Sequence, residues 1–208
     1  MAAVPNEAPF DRCAGHPVLD LVNTLDKRFR AEGPIELLPD YEALLRFMEQ
    51  SGLLEGAQVR ALAQRISGAG AERVTDSVRE LREATASTLY AAAEGSAPLP
   101  TDLRKLARHF QSARQHQEFV WTPTEEQSKC VWEWGSSQTE ADLPVWMLAL
   151  QTSTLLTSDA MSRVRACASD TCRWLFLDTS KNHTRRWCDM KVCGNRMKAR
   201  RFQARISR

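Results

Sequence analysis

Apolar residues recur at helical spacing along most of the chain. Val18, Leu21, Val22, Leu25 and Phe29 share one side of a helix drawn over residues 17–30, which Gly33-Pro34 ends. Asp40 is placed to cap a second helix carrying Tyr41, Leu44, Leu45 and Met48, with Gly52 as its stop. Val59, Leu62 and Ile66 mark a third helix that Gly68 and Gly70 end. Val74, Val78, Leu81, Thr85 and Leu89 mark a longer fourth, closed near Gly95. After a turn at Pro98 and Pro100, Thr101 caps a fifth through Leu103, Leu106 and Phe110. The period then changes. Val120, Trp121, Val131, Trp132 and Trp134, with Pro123 between them, predict a short hairpin. Residues 145–161 return to helix. Residues 173–177 read as a strand, 178–182 as a turn, and the chain is helical again from about Met190. The expected class is mostly α with a small β-hairpin or sheet, α+β.

Composition adds bounds. The 208 residues, 43 % hydrophobic, suffice for one full core and a small satellite, hence one or two domains. No run of about 18 apolar residues exists to span a membrane. Residues 1–10 lack a basic start followed by an apolar run, so no signal peptide is expected and the location is read as cytoplasmic. Enzyme signatures are missing: no G-x-S-x-G, no H-E-x-x-H, no glycine-rich phosphate loop and no zinc-deaminase pattern. The reading is therefore a non-enzyme.

Charge divides the chain. The net charge is only +2, yet residues 161–208 hold 13 of the 28 Lys and Arg and three of the 26 acids, a net +10 against −8 for residues 1–160. Four metal-bound thiolates and a Zn²⁺ would leave the tail at +8. A segment this basic on an acidic protein points to a polyanion. The plainer alternative is a tail docked on its own acidic domain.

Four cysteines carry the chemistry. Cys167 and Cys172 form one C-x4-C pair, Cys188 and Cys193 another, and fifteen residues separate them. Each pair offers two sulfurs from one turn, and the gap lets the turns face each other, as tetrahedral Zn²⁺ requires. Two disulfides are disfavoured in a reducing compartment. Four thiolates leave no open position, so one structural zinc is expected rather than a catalytic one. Cys13 and Cys130 stand alone and read as ordinary thiols.

The run Trp187-Cys-Asp-Met-Lys-Val-Cys-Gly-Asn-Arg-Met-Lys198, with Cys172-Arg-Trp-Leu-Phe-Leu-Asp-Thr-Ser180 and Arg185-Arg-Trp-Cys188 upstream, resembles the CGNR zinc-finger family. In that family the finger follows a mostly helical ABATE domain, and His16-Pro-Val-Leu-Asp-Leu-Val-Asn-Thr24 resembles its opening. The resemblance implies an ABATE-like ligand-sensing domain over 1–161 and a treble-clef-like finger with four cysteine ligands over 162–208. It also implies a bacterial transcription regulator of the kind called stress-induced.

On the last helix, Lys191, Asn195, Lys198, Arg201, Arg205 and Arg208 follow one face in steps of three and four, flanked by Arg200. Val192, Ala199, Phe202 and Ile206 lie opposite. A charged stripe is usually a solvated face, but this one lacks the acids that normally alternate with bases. Lysines and arginines of this stripe suit phosphates, and Asn195 suits an adenine edge. Arg185 and Arg186, just before Cys188, either clamp a phosphate or offset the charge of the metal site. Arg196 falls off the stripe and is expected to hold finger-loop carbonyls. On the first helix, Asp20, Asn23 and Thr24 lie opposite the apolar stripe: solvated by periodicity alone, the wall of an effector pocket if something covers them. Trp121, Trp132, Trp134 and Trp146 wall a ligand site or, more commonly, fill a core. The expected partners are DNA, a small-molecule effector and, because one finger needs a second contact for specificity, a second copy in a homodimer. The alternatives are a zinc-stabilised protein-interaction module and an RNA binder.

Overall fold

A computed structural model describes residues 9–123 and 128–206, apart from the side chains of Arg201, Ala204 and Arg205. Helix α1 (Pro17–Asn23) opens with Pro17 in its first turn, where the missing N–H costs nothing, and with His16 Nδ1 accepting from the Val18 amide. It ends well before residue 30. The Thr24 amide and hydroxyl both return to the Leu21 carbonyl, and the chain runs into β1 (Leu25–Asp26), antiparallel to β2 (Ile35–Glu36). Phe29 therefore leaves the expected stripe and packs edge-on against Tyr90.

Helix α2 (Tyr41–Gln50) starts as expected, Asp40 Oδ1 accepting from the Ala43 amide at 2.8 Å, and Gly52 follows it at φ +72°. Helix α3 (Gly56–Arg65) stops at Ile66. Helix α4 (Gly68–Ala93) begins at Gly68, so the glycines expected to end one helix open the next. Helix α5 (Pro100–Gln115) is entered through Leu99, with Pro100 at its first position, which displaces Thr101 from the expected cap. The hairpin of β3 (Glu118–Thr122) and β4 (Lys129–Glu133) pairs Phe119 with Trp132 and Trp121 with Cys130. A 3-10 turn leads to α6 (Leu143–Thr157), a largely apolar helix buried around much of its circumference. A second 3-10 turn leads to β5 (Val164–Ala166), paired antiparallel with β6 (Leu175–Leu177). The strand expected from Arg173 begins two residues late, because Arg173 adopts the left-handed φ of 60°. A π-turn over Met190–Gly194 feeds α7 (Asn195–Ile206). The class is α+β: helices with three two-stranded antiparallel sheets among the described residues.

Two cores result. The first joins Leu44, Phe47 and Met48 of α2 to Val78 and Leu81 of α4, Leu106 of α5 and Leu148 of α6. The second joins Val18, Leu19 and Val22 of α1, Leu89 of α4 and Leu155 of α6 to Val164, Leu175 and Phe176, and includes Cys167, Cys188 and Cys193. The cysteine segment is thus packed through a core it shares with the helices. Nearby, Arg82 on α4 is 2 % exposed and donates to both Glu36 carboxylate oxygens, at 2.7 and 2.6 Å, to Glu83 and to Thr24. A guanidinium can stay charged at that depth only with such partners.

Candidate metal centre and the helix it anchors

The sulfurs of Cys167, Cys172, Cys188 and Cys193 all lie within 4.8 Å of one another. Two of the separations are 3.6 Å (Cys172–Cys188) and 3.7 Å (Cys188–Cys193). A tetrahedron with Zn–S bonds of about 2.3 Å has edges of about 3.8 Å, whereas a disulfide needs about 2.05 Å. The donor set fits one zinc with every position filled, which makes it structural.

Each pair is held by its own turn. In the first, the Cys172 and Arg173 amides return to the Ser169 carbonyl and the Cys167 amide to Trp174. In the second, Asp189 Oδ1 accepts from the Lys191 and Val192 amides, and Cys193 sits in the first turn that this cap opens, where amide dipoles favour a thiolate. The loop between β6 and Cys188 is organised by Asp178, fully buried, which accepts from the Ser180 amide and hydroxyl and from the Arg185 amide. Those bonds, the Ser180 hydroxyl first, lower its pKa.

The family models divide the chain at the same place. Residues 15–159 match the ABATE model, described as a putative stress-induced transcription regulator, and residues 163–206 match the CGNR zinc finger. The chain belongs to the ABATE family. Comparison with curated proteins gives no match.

Residues of the ABATE region, from α4, β1 and the loop after it, hold the first cysteine turn of the CGNR finger and the strand that follows. Arg30 Nε donates to the Thr171 carbonyl (2.8 Å), Tyr90 Oη to that of Arg173 (3.0 Å), and Trp174 Nε1 to Asp26 (2.9 Å). Arg173 in turn pairs with Glu94 at 2.8 Å. Asn23 serves as a third strand for β6: its Oδ1 accepts from the Leu175 amide (3.0 Å) and its Nδ2 donates to the Leu175 carbonyl (2.9 Å). The Ala14 carbonyl takes the next free amide on that edge, Leu177, at 2.8 Å.

Asp20, Asn23 and Thr24 are therefore not solvated; they are 6, 4 and 2 % exposed. Periodicity misplaced them because elements distant in the chain, α4 with Arg82 and the finger strand β6 among them, cover the face it left open. Each is engaged internally: Asp20 accepts from the Ala14 amide, Asn23 holds β6, and Thr24 bonds Leu21 and Arg82. A cleft of about 830 Å³ lies elsewhere, between α2, α3 and α4, lined by residues including Tyr41, Leu45, Ile66, Glu72 and Arg79. The four tryptophans separate. Trp121 and Trp132 stand exposed on the hairpin, while Trp146, stacked on His116 at 3.7 Å, is buried beside Trp134.

Helix α7 leaves the body at the metal. Lys191, Asn195 and Lys198 are exposed on it; the side chains of Arg201 and Arg205, and all of Arg208, lie outside the described residues. The face expected to pack is exposed as well, with Val192 at 53 %, Phe202 at 66 % and Ile206 at 69 %. Of the two roles expected for Arg185 the structure favours the one at the metal site, whereas Arg196 does not hold the finger-loop carbonyls expected of it. Arg196 is exposed and makes no hydrogen bond or ion pair among the described residues. Arg185 lies 4.6 Å over the Phe176 ring and donates to the carbonyls of Trp187, Cys188 and Cys13. Arg186 is exposed, its guanidinium 5.6 Å from the Trp187 ring. Asp178, Asp189, Tyr90 and Arg30 were missed as site residues. Asp189 alone carried a local signal, an acid immediately before a helix.

Proposed function

We propose that the chain is a DNA-binding transcription regulator in which α7 enters a groove and the ABATE domain senses a small molecule. The observation that supports this best is α7 itself. It projects from a structural zinc, it bears exposed Lys191, Asn195 and Lys198, and its segment carries no acid after Asp189. Lysines on such a face neutralise phosphates and release counterions, and an asparagine at its start can read a base edge. Arg186 extends the basic surface, whereas Arg185 is committed to the finger. The effector would occupy the cleft between α2, α3 and α4, and its signal would reach α7 through the helices that hold Cys172 and β6.

Fluorescence anisotropy of the zinc-loaded chain with mixed-sequence duplex DNA at two salt concentrations tests the reading. Binding that falls steeply with salt supports it, and competition with duplex RNA distinguishes the two nucleic acids. The second reading, a helix that docks on protein, draws support from the exposed Phe202 and Ile206. It predicts binding that salt barely changes.

A further inference from the structure

Cys13 reads as a solitary thiol in the sequence, but the fold brings it to the metal centre. It belongs to the segment before α1, which is fastened to the finger at two points. The Ala14 carbonyl accepts from the Leu177 amide, the Cys13 carbonyl accepts from Arg185 Nη2 at 3.4 Å, and the same guanidinium reaches the Cys188 carbonyl. Cys13 packs against the core that contains Cys167, Cys188 and Cys193, and its carbonyl shares the Arg185 Nη2 donor with that of Cys188. Cys13 therefore stands as a fifth cysteine next to a centre where tetrahedral zinc takes four. The four finger cysteines satisfy the metal, so Cys13 is surplus. It is half-buried, whereas Cys188 is 3 % exposed. It also comes from the segment that leads into α1 rather than from the finger.

We infer that Cys13 and Cys188 form a redox modification site, in which a peroxide oxidant joins them as a disulfide and displaces the zinc. The step balances with hydrogen peroxide as the co-reactant. The Cys188 thiolate sulfur attacks one peroxide oxygen, the O–O bond breaks, and hydroxide leaves, giving a sulfenic sulfur. The Cys13 thiol then attacks that sulfur. The S–S bond forms, the S–O bond breaks, and the Cys13 proton leaves with the departing oxygen as water. Two sulfurs each lose one electron and the peroxide gains two. A disulfide sulfur is no substitute for a thiolate ligand, so the zinc keeps three of its four ligands and dissociates. The disulfide would also tether the start of the ABATE domain to the turn from which α7 springs. Reduction by a dithiol in the presence of zinc reverses the change.

The test uses the full zinc-loaded chain in a Cys130→Ser background, which removes the exposed thiol on the hairpin. Protein is treated with hydrogen peroxide, zinc release is followed with a chromogenic chelator, and unreduced peptides are mapped by mass spectrometry. The expected result is a Cys13–Cys188 linked peptide that appears together with zinc release, and restoration of bound zinc after reduction. Cys13→Ser should hold one zinc before oxidation and release it roughly tenfold more slowly, since the only nearby thiol not engaged by the metal is gone and the remaining neighbours, Cys172 and Cys193, are held as zinc ligands. Cys13→Ala should behave as Cys13→Ser does. The inference is overturned if the parent protein yields only disulfides among Cys167, Cys172, Cys188 and Cys193 and both variants release zinc at the parental rate. It is equally overturned if either variant fails to hold zinc before oxidation, because Cys13 would then serve the metal directly.

Discussion

At the residue scale, polar side chains that appear idle in the sequence hold the finger in place. Asp20 is the extreme case: burial in α1 pushes its carboxyl up to about 6 from an ordinary 3.8. Because the folded value is the higher one, the protonated form stabilises the native state. That contribution is fully present below about pH 3.8 and is lost as pH rises through about 6. Asp20→Asn keeps an acceptor for the Ala14 amide and removes the charge. It should therefore raise the thermal midpoint at pH 7.5, by a stabilisation of roughly 2–3 kcal/mol, and leave it nearly unchanged at pH 4. Thermal scans at the two pH values check this. Arg185 and Arg196 give a second contrast. Arg185→Ala removes three carbonyl contacts and the stacking on Phe176, and should weaken zinc affinity roughly 10–100-fold. Arg196→Ala, which leaves an exposed position, should not. Chelator competition on the two variants measures both, and loss of zinc from the Arg196 variant alone would contradict the assignment.

At the scale of elements, α7 differs from the other helices. Most of its described side chains, on both the basic and the apolar face, are exposed, so its conformation rests on the Asp189 cap and the metal turn behind it more than on tertiary packing. Substitutions on its exposed face should accordingly change binding and not stability. Lys198→Ala should weaken binding to every DNA sequence and lower the salt slope by about one unit, as loss of a phosphate contact does. Asn195→Ala should relax preference at one base pair by roughly 1–3 kcal/mol. Anisotropy titrations over a salt series, with unchanged thermal midpoints as the control, separate the two. The β3–β4 hairpin is also exposed, yet Glu118 stands directly opposite Glu133, so nothing about it favours an anionic partner.

For the whole molecule, the second core decides how the parts depend on each other. Val18, Leu19, Leu89 and Leu155 are buried partly by Leu175 and Phe176, and the finger strand β6 bonds outward to Ala14 and Asn23. Zinc supplies folding energy to a segment too small to fold alone, and that energy is transmitted through the shared core. Removal of the metal by a chelator should therefore lower the thermal midpoint of the helical region as well. Calorimetry should show a single transition moving down, and two independent transitions, with the helical one unmoved, would refute the coupling. No helix among the described residues is long and apolar enough to cross a membrane.

Local chemistry was legible in the sequence. The two C-x4-C pairs named the four sulfurs, Asp40 and Gly52 bounded α2, and the change to period two announced the hairpin, because ligand spacing, capping and side-chain alternation are properties of short segments. The break in α1 at Thr24 was not legible, since it depends on Asp26 and Asn23 reaching a finger about 150 residues away. The burial of Asp20, Asn23 and Thr24 was hidden for the same reason: a helical wheel shows which residues share a face, not which distant strand will cover it. The approach of Cys13 to Cys188, the commitment of Arg185 rather than Arg196 to the finger carbonyls, and the solvation of the α7 apolar face were all set by where the chain returned. The sequence alone determined the metal ligands and the order of the main helices and hairpin, and packing between segments far apart in the chain decided where α1 breaks, which polar groups serve the finger and which face the water.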